Sequence, residues 1–237
     1  MTSFLINPYR FGVTGGDPNF ANVSLLLHGD GTNGSTTITD SSGSPKTVTA
    51  FGNAQISTAQ SKFGGASIAF DGNGDYLTVP DSTAFNLGTG DFTIEAFTYT
   101  PNTTGFKAIV SKLDNGYGTF ILALNGSSFV YYMSSNGTSW NVAQNVSGGT
   151  FTANTWNHVA LVRNGSTFTP YLNGTAGTTT TFSGTLSTNT RALHIGADFG
   201  GVVTDFMNGY IDELRITKGV ARYTANFTPP TAPFPDS

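Results

Sequence analysis

Residues 208–223 read "NGYIDELRITKGVARY", the densest cluster of charge in a chain of which only 10% is charged. Read as a strand, alternation sets Tyr210, Asp212, Leu214 and Ile216 on one face and Ile211, Glu213 and Arg215 on the other. Asp212 then shares a face with apolar side chains. A buried carboxylate without a partner is expensive, so Asp212 is expected to hold backbone N–H groups, a hydroxyl or a cation.

Working outward, strand-like runs alternate with turn signals from Asn22 onward. "NVSLLLHGD" (22–30) is a strand ending in a Gly-Asp turn. "KTVTAFGNAQIS" (46–57) reads as two short strands across Gly52-Asn53, and "ASIAFDGNGDYLTVP" (66–80) as a hairpin with "DGNG" as its loop. "TFILALNGSSFVYYMS" (119–134) and "TWNHVALVRNGSTFTPYLNG" (155–174) turn at Asn125-Gly126 and Asn164-Gly165. No helical period persists over three turns, although "KGVARYT" (218–224) suits one short turn. No fixed repeat and no central linker interrupt the series. The pattern predicts an all-β fold, a two-sheet antiparallel β-sandwich of jelly-roll type. Three segments are expected: an arm over 1–21, the sandwich over 22–223 and a Pro-rich tail over 224–237.

Composition narrows the chemistry. The 237 residues contain no cysteine, which excludes disulfides, thiolate metal sites and cysteine catalysis. Ten basic residues against fourteen acidic ones give a net charge of -4. The basic residues are scattered, which argues against a nucleic-acid partner. No run approaches the ~18 apolar residues of a membrane span, and "MTSFLINPYRFG" lacks the form of a signal peptide. Asn-X-Ser/Thr triplets recur, for example at Asn33 and Asn173, and read as turn chemistry. The arm carries Phe4, Leu5, Ile6, Tyr9, Phe11 and Phe20. So many apolar anchors imply that it packs on its own domain or docks on a neighbour.

At this point "FGGASIAFDGNGDYLTVPDSTAFNLGTGDFTIEAF" (63–97), "TWNHVALVRNGSTFTPYLNG" (155–174), "LHIGAD" (193–198) and "GYIDELRITKGVARYTANFTPP" (209–230) carry a resemblance. Their order resembles the laminin-G-like, concanavalin A-like lectin/glucanase superfamily over residues 22–230. "FLINPYRFG", "HGDGTNGSTTITDSSG" and "GVARYTANFTPPTAPFP" further resemble versions found in tailed-phage structural proteins. That resemblance implies a virion component at the virion surface: a capsid decoration, tail or fibre protein, made in the host cytoplasm. Its partners would be other virion proteins or sister subunits held through the arm.

Candidate sites follow. Asp30 in "GDGTNGSTTITD", with Asn33 and Asp40 nearby, offers oxygen ligands of the kind calcium takes. Related sandwiches often hold a structural calcium between an early turn and the last strand. Asp30 and Asp212 would be its ligands here. Asp71 and Asp75 are read as organisers of their own turn. For sugar binding, Tyr117, Tyr132 and Trp140 offer stacking rings and Asn136 a polar partner, with cell-surface carbohydrate as the ligand. Trp156 reads as core, and His158 as a satisfied core or interface histidine.

Catalysis finds little support. A retaining glycosidase needs two carboxyl groups ~5–5.5 Å apart. The only glutamates are Glu95 and Glu213. Alternation splits Asp212 from Glu213, and Asp91 and Glu95 lie ~13 Å apart along one strand. No Gly-X-Ser-X-Gly elbow and no histidine pair with zinc spacing occurs. The expectation is a non-enzymatic structural or adhesion protein, with a stand-alone carbohydrate-binding module, or a glycoside hydrolase, as the alternatives.

Overall fold

The computed structural model describes residues 16–237. The proposed anchoring arm, residues 1–21, therefore lies mostly outside the described residues. Numbering strands along the chain, the larger sheet runs β13 (Thr175–Ala176), β12 (Thr167–Leu172), β11 (Asn157–Asn164), β6 (Phe92–Tyr99), β18 (Asn208–Lys218), β4 (Ser67–Asp71) and β3 (Gln55–Ser57). In this first sheet β1 (Val23–Leu27) also pairs with β18, and β14 (Thr180–Thr181) with β12. The second sheet runs β10 (Ala143–Thr150), β9 (Ser128–Met133), β8 (Tyr117–Asn125), β7 (Phe106–Asp114), β15 (Leu193–Ile195), β5 (Tyr76–Val79) and β2 (Thr49–Phe51). A small ribbon pairs β16 (Asp198–Phe199) with β17 (Val203–Thr204). Every pairing among the two large sheets is antiparallel.

The core lies between the sheets. Leu25, Leu27, Ile94, Ile211, Leu214 and Ile216 enter it from the first sheet, and Val110, Leu122, Phe129 and Tyr131 from the second. Each fully buried aliphatic side chain of this kind contributes about 1.5–3 kcal/mol of transfer free energy. No described helix is long and apolar enough to cross a membrane. The described helices are two single 3-10 turns, Phe20–Asn22 and Thr83–Phe85, so residues 218–224 form no helical turn.

The Asn-Gly turns at 125–126 and 164–165 close the β8–β9 and β11–β12 hairpins as the sequence predicts. Gly126 and Gly165 sit at φ +58° and +61°, the left-handed region such turns require. The expected hairpin over 66–80 does not form: β4 lies in the first sheet and β5 in the second. Asp75 explains the crossing. Its Oδ1 accepts the Asn53 N–H at 2.7 Å and its Oδ2 the Asp71 N–H at 2.9 Å. One carboxylate thereby pins both sheet-changing turns, 51–54 and 71–75.

The opening stretch departs from simple alternation. The β6–β18 register shifts between Asp212 and Arg215, and Glu213 adopts φ +54°. This is a β-bulge, which inserts one extra residue and resets which face follows. Ile211, Leu214 and Ile216 point into the core, while Asp212 and Arg215 face outward opposite Phe97 and Glu95. The expected grouping of Asp212 with Leu214 and Ile216 is therefore corrected.

The outward face of β18 is covered. Phe234 is buried with Val23, Leu26 and Phe97. Tyr223 and Phe227 stack at 3.6 Å beside Tyr171. The segment 224–237 thus packs across the first sheet. Trp156, expected in the core, is half-buried at this outer layer and packs beside Tyr99.

Candidate functional site

The two metal-ligand candidates flank one turn, residues 61–65. Asp212 is buried, and its Oδ2 accepts the Lys62 N–H at 2.7 Å and the Phe63 N–H at 3.1 Å. Its Oδ1 is buried with no hydrogen-bond partner. Burial pushes the Asp212 carboxyl up to about 7, against the pull of the two N–H groups, with Glu213 and Asp30 adding like charge. Asp30 comes from the turn after β1, and its carboxylate lies against Gly64, where a Cβ would sit 1.9 Å from Oδ1. Asp212 is thus tied to the 61–65 turn, and the early Gly-rich turn meets that same turn through Asp30. Asn33 and Asp40 serve elsewhere. The Asn33 amide oxygen accepts the Thr58 N–H, and Asp40 holds the N–H groups of Leu26, Ser42 and Lys46.

An oxygen-seeking cation fits this donor set, because Asp212 keeps an orphaned buried carboxylate oxygen and the Asp30 carboxylate lies against the same 61–65 turn. Among the described residues no group of three His, Cys, Asp or Glu side chains converges, so backbone oxygens would have to complete the shell.

The four ligand-binding candidates come together on the outer face of the second sheet. Tyr131 turns into the core and Tyr132 outward, as alternation along β9 requires. Trp140 packs against Tyr132 at 5.4 Å and Tyr117 at 5.7 Å between ring centroids. Tyr117 is 39% exposed. Tyr117 and Asn136 line one cavity of about 420 Å³, together with Asp114, Asn115 and Asn189. Asn136 itself organises a turn. Its Oδ1 accepts the N–H groups of Thr138 and Ser139 at 3.0 and 3.1 Å, and its Nδ2 donates to Ser139 Oγ at 3.1 Å.

A third cluster was not legible in the sequence. Glu95 Oε1 accepts Arg215 Nη2 at 2.7 Å and Nε at 3.0 Å, while Oε2 accepts the Tyr223 hydroxyl at 2.7 Å and lies 3.2 Å from His158 Nε2. Asp17 joins through Arg222 at 2.6 Å and Arg215 at 3.3 Å. Burial alone would raise Glu95; the Arg215 charge, with His158 and Tyr223, holds its carboxyl down at about 2. Phe234 lies over the Arg215 guanidinium at 3.7 Å. The one sequence signal for this cluster is the alternation of β6, which sets Glu95, Phe97 and Tyr99 on one face.

The bulged sandwich of two large antiparallel sheets is the architecture of the concanavalin A-like class. A laminin-G family model, described as the concanavalin A-like lectin/glucanases superfamily, matches residues 71–222, and the chain belongs to that superfamily. Among solved structures, the chain is similar to the binding domain of Paraclostridial Mosquitocidal Protein 1, with a TM-score of 0.61 and 18% identity over 85% of this chain and 50% of that one. It is similar to the binding domain of Botulinum Neurotoxin DC in complex with SialylT, with a TM-score of 0.61 and 17% identity over 85% and 49%. The Botulinum Neurotoxin serotype G binding domain gives a TM-score of 0.60 and 13% identity over 84% and 48%. The chain spans about half the length of these structures, and at such identity the likeness shows the fold alone. Comparison with curated proteins finds no match.

Proposed function

We propose that this chain is a non-enzymatic, carbohydrate-binding adhesion module carried on a virion. The observation that carries the binding reading is the Tyr117–Trp140–Tyr132 cluster beside its cavity, on the outward face of the second sheet. Aromatic rings accept the C–H faces of sugars, and polar neighbours fix orientation. The solved binding domain of Botulinum Neurotoxin DC with SialylT lends the reading support by likeness of fold. Hydrolysis is disfavoured because both glutamates are covered: Glu95 is 0% exposed and Glu213 1%. Neither can meet a sugar and a water as the mechanism demands.

The virion setting rests on the terminal segments' resemblance to tailed-phage structural proteins, with the arm joining the module to other virion proteins or sister subunits. Calcium belongs to the same reading. Held by Asp30 and Asp212, it would neutralise two carboxylates and tie the last strand to the 61–65 turn. A glycan array tests the binding function. Wild type should bind a defined set of glycans, and Trp140→Ala should lose them while keeping its melting temperature. Uniform absence of binding by wild type overturns the reading. For anchoring, a chain starting at residue 16 should fold yet fail to enter particles.

A further inference from the structure

We propose that the first sheet carries a separate saccharide site on its outer face, a groove of about 470 Å³ that selects neutral sugars. Four residues stand in register across four strands: Gln55 on β3, Ala69 on β4, Tyr210 on β18 and Tyr99 on β6. Side chains directly opposite one another share a face. Ala69 is the small member of the row, so a depression opens between Gln55 and the two phenol rings. The groove volume falls within the range of small-molecule sites, about 300–1,000 Å³.

Its walls have the chemistry of sugar recognition. Tyr99 and Tyr210 are half-buried and meet edge to face at 5.9 Å, giving a fixed apolar wall. Asn53, Gln55, Gln60 and Asn208 bring four side-chain amides to the rim. Among the described residues none of these amides, and neither phenol hydroxyl, has a hydrogen-bond partner. Each amide both donates and accepts, which matches the dual character of a sugar hydroxyl. The contrast with Asn136 is direct, since that amide is occupied by its own turn.

The rim is preorganised. Asp75 is buried and holds the Asn53 and Asp71 N–H groups, so the two turns bearing Asn53 and Asp71 cannot drift apart. Among the described residues no Lys or Arg lines the groove, and Asp71 and Asp75 do. Acidic sugars are therefore repelled and neutral ones admitted. Phe234 of the tail lies over Arg215, and among the described residues this end of β6 and β18 is left open.

The test is a nitrogen-15 NMR titration of the full chain with cellotriose, maltotriose, chitotriose and sialyllactose as probes. At least one neutral trisaccharide should shift the side-chain amide signals of Asn53, Gln55, Gln60 and Asn208 saturably, and sialyllactose should not. Ala69→Leu, which fills the floor, and Tyr210→Ala should each weaken that titration by at least tenfold. Trp140→Ala should leave it unchanged. The Trp140 indole signal reports the other site, so failure of one is visible apart from failure of the other. The proposal is overturned if no neutral probe moves the four amides, if sialyllactose moves them equally, or if Ala69→Leu leaves the titration intact.

Discussion

Arg215 stands directly opposite Glu95 across the β6–β18 ladder, and two of its guanidinium nitrogens reach the carboxylate at 2.7 and 3.0 Å. Both groups are nearly inaccessible, with side-chain exposures of 5% and 0%. A pair this deep is costly to break from one side, because the survivor is left charged and unpartnered.

Glu95→Gln should therefore destabilise the fold by about 3–5 kcal/mol at pH 7. The Glu95 carboxyl is held at about 2, below its ordinary 4.5. Its contribution is full above the ordinary value and is lost as pH falls through that window towards about 2. Denaturant melts of wild type and Glu95→Gln should differ most at pH 6–7 and converge near pH 2. A gap that stayed constant with pH would contradict the pairing.

Asp198 gives the opposite sign. Burial first, and Asp205 beside it, push its carboxyl up to about 6 against the Thr204 hydroxyl that donates to it at 2.9 Å. The folded state then holds a proton that the unfolded chain has released, so stability falls as pH rises from about 4 to about 6. Asp198→Asn keeps an acceptor for Thr204 and removes the charge. It should stabilise the protein at pH 7.5, on the order of 1–3 kcal/mol, and change nothing at pH 3. Thermal melts at the two pH values decide.

Calcium should raise the melting temperature, and EDTA should lower it again. At a hundredfold excess over Kd the stabilisation is about 2.7 kcal/mol, which for a chain this long means roughly 5–10 °C. Asp212→Asn should abolish the response. A calcium response that survives in Asp212→Asn would remove Asp212 from the site.

The tail is locked at Gly174. Phe227 donates its N–H to the Gly174 carbonyl at 2.9 Å, and a Cβ at Gly174, which sits at φ +77°, would lie 1.8 Å from the Phe227 carbonyl oxygen. Gly174→Ala should cost about 2 kcal/mol or more and open the segment after Tyr223 to protease. Limited proteolysis with mass spectrometry reads the cleavage. An Ala variant as resistant as wild type would show that the tail does not depend on this contact. The packing also sets where truncation is safe. Asp17 bonds both Arg215 and Arg222, so a deletion through residue 20 removes part of the fold along with the arm.

Much of the architecture was written in local pattern. Period-two runs such as "ILALNG" and "HVALVRNG", ended by Asn-Gly, fix strands and hairpins through nearest neighbours alone. Alternation along β9 puts Tyr131 and Tyr132 on opposite faces, but only the folded sheet decides that Tyr132 is the outward one, beside Trp140. Where the chain changed sheets, local pattern misled: "DGNG" has hairpin chemistry, yet Asp75 uses both its oxygens to turn β4 into one sheet and β5 into the other.

The sequence by itself determined an all-β sandwich, the absence of thiol chemistry and an Asp212 in need of donors. Only the tertiary structure decided which way Asp212 faces. The bulge at Glu213 resets the alternation, and a bulge depends on the partner strand's register, which one strand cannot encode. The same holds for the Glu95–Arg215 pair, separated by 120 residues, and for the row Gln55–Ala69–Tyr210–Tyr99. These sites exist through pairing across strands, which no single stretch of sequence contains.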